Sequence, residues 1–545
     1  MENKTTNWAV ASNIAKRIMQ PKYSLKEFYD DLKAFPELDL YLLEDPQTAA
    51  GISLLTTGSG RSSGDEYQRT VGAFFAIYWL LRVDIDGMDG FCNGVDERWR
   101  PLELTDASDK RVVLPEKRIA FRNGAQWDMI RKLLMDAGLV EERKHRSGMF
   151  ASSPEKTTLV VNESRLVSLL ALTAVHDIMK MSVLLPQVQE AHAPYRGFSA
   201  GDTIGDHDQA LAYVMEHFPE LLPSFRDLSE EEKRCLMFTQ CNLCFNHGWF
   251  VQAEAPPGAI FTKFRETLIR DHKLEISRRD VALYFVHWLT DLAGAEPTPL
   301  AGCEKFATKF PLPVLNSFLR SFETVGRIVS ETETQVVEEY LKMRWMEASP
   351  PVGPVPTGES AIARMRLLCM AQSTAGLVLD GFDTLLEDDR EVLSIEMSRT
   401  GCVGQSFSQD LSPGQAALQG PAFLLYYGPA FLQGLGNDQA HARLAVLAEI
   451  FRSARDLWPA SIAKVNVSVT IRIDMIKSLS IAGIQELPQK GDLWLLVKHN
   501  DLEAFVERSS KKKLNSLIAS GHEIQVLDFS TVGSRLYIPI NTAGL

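Results

Sequence analysis

The chain has few of the features that place a sequence in a class at sight. Its seven cysteines, Cys92, Cys235, Cys241, Cys244, Cys303, Cys369 and Cys402, are an odd number scattered over 545 residues. That argues against a disulfide framework and for reduced thiols. The pair "CNLC" at 241–244 has no second CxxC to complete a zinc site and sits in an apolar helical pattern, so it reads as buried thiols. Positive charge is in deficit: a net charge of −13 repels the phosphates of nucleic acid and of anionic membranes, and neither partner is expected. The one dense basic run, Lys511, Lys512 and Lys513, reads as a solvated helix end. Long apolar runs are missing too. The longest, "TVGAFFAIYWLLRV" at 70–83, falls short of the roughly 20 residues that span a bilayer, and reads as a buried helix. The opening "MENKTTNWAVASNIAKR" has no apolar core of a secretory leader, so a cytoplasmic protein is expected.

Two loops approach ligand-binding spacings without meeting them. "TTGSGRSSGDE" (56–66) precedes an apolar helix but lacks the GxxxxGK[ST] order that cradles phosphate, and reads as a flexible loop. "VDIDGMDGFCNGVDE" (83–97) gathers Asp84, Asp86 and Asp89, yet Met88 stands where a calcium loop needs an oxygen and no glutamate closes it. A polar turn is the expectation there.

What is present is ordinary globular composition, 45% hydrophobic and 23% charged, with length for roughly three to four domains. Residues 1–114 read as mostly helical. From 115 to 347 the pattern is almost wholly helical, with segments such as "WDMIRKLLMDAGLVEE", "SRLVSLLALTAVHDIMKMSVLL" and "RRDVALYFVHWLTDLAG" repeating apolar residues near a 3.6 period. Pro350, Pro351, Pro354 and Pro356 then mark an extended linker over 348–360. Beyond it, 361–545 begins helical and ends in alternating runs, "VNVSVTIRIDM" (465–475), "DLWLLVKH" (492–499), "EIQVLDF" (523–529) and "RLYIPI" (535–540), which read as strands, with "DLEAFVERSSKKKLNSLIAS" as a helix between two of them. The expected fold is mainly α, with a central helical domain and a small mixed α/β module at the C-terminus.

Eight of the eleven histidines fall between 145 and 287, and one of them raises the sharpest question. In "LLALTAVHDIMKM" (169–181) His176 and Asp177 stand side by side in an apolar helical pattern. Burying a carboxylate there costs several kcal/mol unless hydrogen bonds or a metal compensate. Imidazole and carboxylate together are common ligands of divalent transition metals such as iron and manganese.

"HDIMK" (176–180) resembles the "HDIGK" core of the HD-domain superfamily of helical metal-dependent phosphohydrolases, with Met179 in place of the family's glycine. The resemblance implies an HD-like domain over 115–347 and a site holding one or two divalent ions. It implies His176, Asp177, His247 (in "FNHGWF") and Asp291 (in "YFVHWLTDLAG") as metal ligands, His207 (in "GDHDQAL") as ligand of a second metal, and Lys180 facing a substrate phosphate. Asp206 and Asp208 flank His207, placed to orient it or act as general base, while Asp206 equally suits the N-cap of the helix that follows. His287 and Asp291 are four apart and share a helix face. One element departs from the family: the histidine it places before the pair has only His145, in the charged "EERKHRSG", as its counterpart, with Glu163 a candidate substitute. The implied substrate is a nucleotide or phosphorylated small molecule, with homo-oligomerisation left open. The alternatives are a di-iron oxygenase on the same scaffold, and a non-catalytic HD-like interaction or regulatory protein.

Overall fold

The structure is a computed structural model describing residues 5–43, 60–146, 155–242, 245–269, 277–413, 422–457, 468–472, 493–499, 502–503, 527–528 and 536–540. It is mainly α, and its contacts divide the chain into two units, 1–243 with 267–329, and 244–266 with 330–545. Among the described residues no helix is long and apolar enough to cross a membrane.

The principal helices of the first unit are α1 (Trp8–Arg17), α2 (Ser63–Leu81), α3 (Trp127–Asp136), α4 (Glu163–Val175), α5 (His207–His217), α6 (Arg278–Ala293) and α7 (Leu312–Gly326). Helix α2 is the centre: every residue from Thr70 to Leu81 is buried, as expected of a helix apolar on all sides. It begins earlier than the sequence implies. Ser62 accepts a hydrogen bond from the backbone N–H of Asp65, and this cap draws residues 63–66 out of the glycine-serine loop into the helix. Helix α6 lies along α2, α3 and α4. Where α2 meets the end of α6, Gly72 and Gly294 let the backbones touch: a Cβ on Gly72 would sit 2.9 Å from the Gly294 carbonyl oxygen.

Two local expectations change. The stretch 83–97 holds two short helices, Val83–Asp86 and Asp89–Asn93, each stopped by a glycine at positive φ, Gly87 and Gly94. The 115–347 region, expected to be almost wholly helical, contains a hairpin, β1 (Val140–Arg146) paired antiparallel with β2 (Glu155–Val161), in register from Val140 opposite Val161 to Arg146 opposite Glu155. The β-branched run Thr157, Thr158, Val160, Val161 favours the strand.

The second unit holds α8 (Glu333–Met346), α9 (Ala361–Ala371), α10 (Ala375–Asp383), α11 (Glu387–Ser398) and α12 (Asn437–Leu457). Its strands are β3 (Ala422–Tyr426), β4 (Ser468–Arg472), β5 (Leu493–His499), β6 (Leu502–Glu503), β7 (Leu527–Asp528) and β8 (Leu536–Ile540). β3 pairs parallel with β4; β4 with β5, β5 with β6 and β8, and β6 with β7 are antiparallel. Strands β4, β5, β7 and β8 lie within the four alternating runs, whereas β3 lies in a part of 361–545 that shows no such run. The helix expected over 501–520 lies outside the described residues except for Leu502 and Glu503, which are strand. One core joins α9 to α12 with β3 and β4, through Met370, Phe382, Leu393, Phe423, Phe451 and Ile471. The proline-rich stretch 348–360 falls within this unit, and Trp345 Nε1 donates to the carbonyls of Gly353 and Pro354 at 3.1 and 2.9 Å.

Candidate metal centre

Helices α4 and α6 are pinned together at two levels. Arg165 Nη2 donates to Asp280 Oδ1 at 2.6 Å, and His176 Nε2 lies 3.1 Å from Asp291 Oδ1. Arg165 and His176 are eleven residues apart, as are Asp280 and Asp291, so the two segments run parallel in register over about three helical turns. The near ends are set by caps: Asn162 accepts from Arg165 N in α4, and Asp280 returns its carboxylate to Ser277 N in α6. Between the two levels, Leu166, Leu169, Leu170 and Val281, Phe285, Leu289 are buried and hold the register.

The His-Asp pair is not in mid-helix. α4 ends at Val175, His176 is its C-cap, and Ile178–Lys180 form a 3-10 turn. His176 Nδ1 bonds to the carbonyl of Thr173 at 2.8 Å, one of the carbonyls a helix end leaves unpaired. Because a carbonyl only accepts, Nδ1 carries the proton, and Nε2 is aimed at the carboxylates of Asp291 and of Asp177, whose Oδ2 is 3.4 Å away. Lys180 Nζ is 2.6 Å from the same Asp177 Oδ2 and 4.0 Å from Glu66, a fully buried residue of α2. His176 and Asp177 are buried, while the Asp291 side chain is 43% exposed and gives the cluster an opening to solvent.

Burial by itself would push the His176 imidazole toward neutrality, but the carboxylates of Asp177 and Asp291 outweigh it and raise its pKa to about 9. Asp291 shows the converse: although its side chain is partly exposed, the protein packed around its carboxylate pushes its pKa up, and the His176 charge prevails, holding it below the usual carboxylate range. His287, one turn before Asp291 and with its ring 5.0 Å from that of His176, is pushed down to about 3 by burial and then by the neighbouring imidazolium. Its buried Nδ1 has no hydrogen-bond partner among the described residues. Tyr41 is fully buried, beside the Thr70 hydroxyl and close enough to Asp177, Glu66 and Asp291 to feel their charges.

The donor set fits a divalent cation. His176, Asp177 and Asp291 each offer a ligand atom, all within 4.8 Å of one another. Bonds of about 2.0–2.2 Å to one ion place neighbouring ligand atoms roughly 3.0–3.5 Å apart, the range of the 3.1 and 3.4 Å separations found here. One imidazole and two carboxylates suit iron, manganese or zinc.

The other residues singled out from the sequence have settings of their own. Asp206, His207 and Asp208 form a second group with ligand atoms in mutual reach, on the surface at the start of α5. Asp206 caps that helix through Gln209 N at 2.9 Å, and Gln240 Nε2 donates to Asp208 at 3.0 Å. His247 belongs to the second unit, where it is buried with its ring against Phe245 and Phe250. Glu163 cannot replace a ligand beside His176: it is the first residue of α4, thirteen positions away, or about 20 Å along the axis. Lys180, expected to face a phosphate, is paired with Asp177. Glu66 and Tyr41 escaped the sequence reading, although a glutamate one turn before the apolar run that starts at Thr70 is a usable signal. The chain matches no known family model, no curated protein and no solved structure.

Proposed function

We propose that the protein is a metal-dependent phosphohydrolase acting on a nucleotide or a phosphorylated small molecule, with one divalent ion held by His176, Asp177 and Asp291. The observation that carries this reading is the convergence of one imidazole nitrogen and two carboxylate oxygens at the end of α4, with the imidazole already aimed by Thr173 and one carboxylate open to solvent. A divalent ion there supplies Lewis-acid polarisation of a phosphoryl group and an activated water. The chain's own contribution is orientation and charge. The Thr173 carbonyl holds His176 in the tautomer that leaves Nε2 free for an ion, as outer partners of metal-bound histidines do. Lys180, which donates to Asp177 at 2.6 Å, would be the side chain available to pair with a substrate phosphate if that carboxylate held an ion. The resemblance of "HDIMK" to the HD core points the same way.

A second reading has its own support. Asp177 with Lys180, and Asp291 with the His176 imidazolium, already balance charge for charge, so the cluster is self-satisfied as a pin between α4 and α6. Elemental analysis separates the two. Wild type and Asp177→Ala, each reconstituted with Mn(II) or Fe(II) and desalted, are compared for bound metal and for hydrolysis of p-nitrophenyl phosphate and nucleoside triphosphates. Near-stoichiometric metal in wild type, lost together with hydrolysis in Asp177→Ala, supports the enzyme. Metal-free wild type after reconstitution refutes it and leaves the pin.

A further inference from the structure

A cavity of about 330 Å³ lies in the first unit beside the cluster but shares none of its ligands. Its floor is buried and apolar, made by Ile178, Met179, Val214 and Leu222, with the Tyr213 ring on one side. Leu184, Pro186 and Phe218 form half-buried walls, and Gln187, Gln189 and Leu221 stand exposed at the rim. Among the described residues, none that lines it carries a charge. Tyr213 is held: its hydroxyl accepts from Gln189 N at 2.8 Å and lies 2.9 Å from His192 Nδ1. The apolar character continues outward, since Val183, beside Leu184, is 45% exposed and Leu221 is 46% exposed.

We propose that this cavity binds a neutral, largely apolar small molecule carrying a single hydrogen-bonding group, such as an aromatic ketone, alcohol or ester. Three observations decide the class. The volume sits at the lower end of small-molecule sites, about 300–1,000 Å³. A lining without charge excludes phosphates and free carboxylates, whose desolvation nothing there repays. The glutamine side chains at the rim offer donors and acceptors to one polar group while its apolar body fills the floor, the arrangement that fixes orientation in such pockets.

The position is also consequential. Leu40 lines the cavity and its neighbour Tyr41 faces the His/Asp cluster; Ile178 and Met179 line it and follow Asp177 directly. A molecule in the cavity therefore touches two of the chain segments that reach the cluster. The site itself needs no metal.

The test uses full-length metal-free protein and prodan, a neutral solvatochromic naphthyl ketone, titrated by fluorescence. Saturable binding of one prodan per chain is expected. Val214→Phe, which fills the floor, and Leu184→Trp, which narrows the wall, should each weaken it by about tenfold or more with an unchanged melting temperature. Absence of saturable binding overturns the proposal, as does equal affinity in Leu184→Trp, which alters a half-buried wall rather than the core. A naphthalenesulfonate that binds as tightly as prodan overturns the assignment to neutral ligands. Since no metal enters the experiment, failure of the metal reading leaves this result untouched, and the reverse holds.

Discussion

Glu254 in the second unit turns pH into a measurable stability difference. It is 4% exposed; its carboxylate accepts the backbone N–H of Tyr427 at 2.8 Å and a bond from Gln252 Nε2 at 3.2 Å, while Arg366 binds its backbone carbonyl rather than its side chain. Burial raises its pKa from the ordinary 4.5 to about 7, against the opposing pull of the Tyr427 and Gly428 amides. In the window between these values the folded state holds a proton that the unfolded chain has released, so stability falls as pH rises. At about 1.36 kcal/mol per pH unit the difference amounts to roughly 3 kcal/mol, in full above pH 7 and absent below about 4.5. Glu254→Gln keeps the shape and an acceptor for Tyr427 but cannot ionise. Urea unfolding followed by far-UV circular dichroism at pH 5 and pH 8 is the assay. The variant should exceed wild type by about 1 kcal/mol at pH 5 and by up to roughly 3 kcal/mol at pH 8. Parallel pH profiles for the two proteins would refute the reasoning, because they would mean that Glu254 ionises as freely folded as unfolded.

Two further outcomes test the frame around the His/Asp cluster. Arg165→Met removes the charged partner of Asp280, whose side chain is 13% exposed, and leaves that carboxylate to its own helix cap and the Cys235 thiol; a loss of about 3 kcal/mol is expected in the same unfolding assay, and a loss under about 1 would show the lower pin to be dispensable. Gly294→Ala drives a Cβ into the backbone of Gly72 and Ala73 and should cost at least about 2 kcal/mol, whereas Gly376→Ala meets nothing within 4 Å and should be neutral or stabilising by up to about 1; equal melting temperatures for the two variants would contradict the close approach of α2 and α6.

The helices were legible because their signal is local. Apolar residues at a 3.6 period, with Asn162, Asp206, Ser229 and Thr332 at helix starts, need only a few neighbouring residues to declare themselves. Strands β4, β5, β7 and β8 were legible for the same reason at period two. The hairpin β1–β2 was not, since "EERKHR" is polar throughout and carries no alternation, and its pairing rests on a second segment, 155–161. The proline run marks extended chain in the sequence, but whether such chain links two bodies or lies within one depends on what folds around it.

The sequence alone marked His176 and Asp177 as a costly polar pair, because the price of burying charge among leucines can be read from composition. It could not place the end of α4, which turns the pair from a helix interior into a C-terminal corner. Nor could it choose among the chain's histidines and acids: His207, His247, His287, Asp206, Asp291 and Glu66 are the same residue types, and chemistry at a centre depends on distances between atoms, not on type. Helix α6, brought beside α4 in parallel register by Arg165 and Asp280, delivers Asp291 across 115 residues of chain. Helix α2 brings Glu66 to Lys180. The cavity beside them, whose lining comes from positions 40, 178–189 and 213–222, has no image in the sequence, because a void is defined by what surrounds it and by no residue in particular.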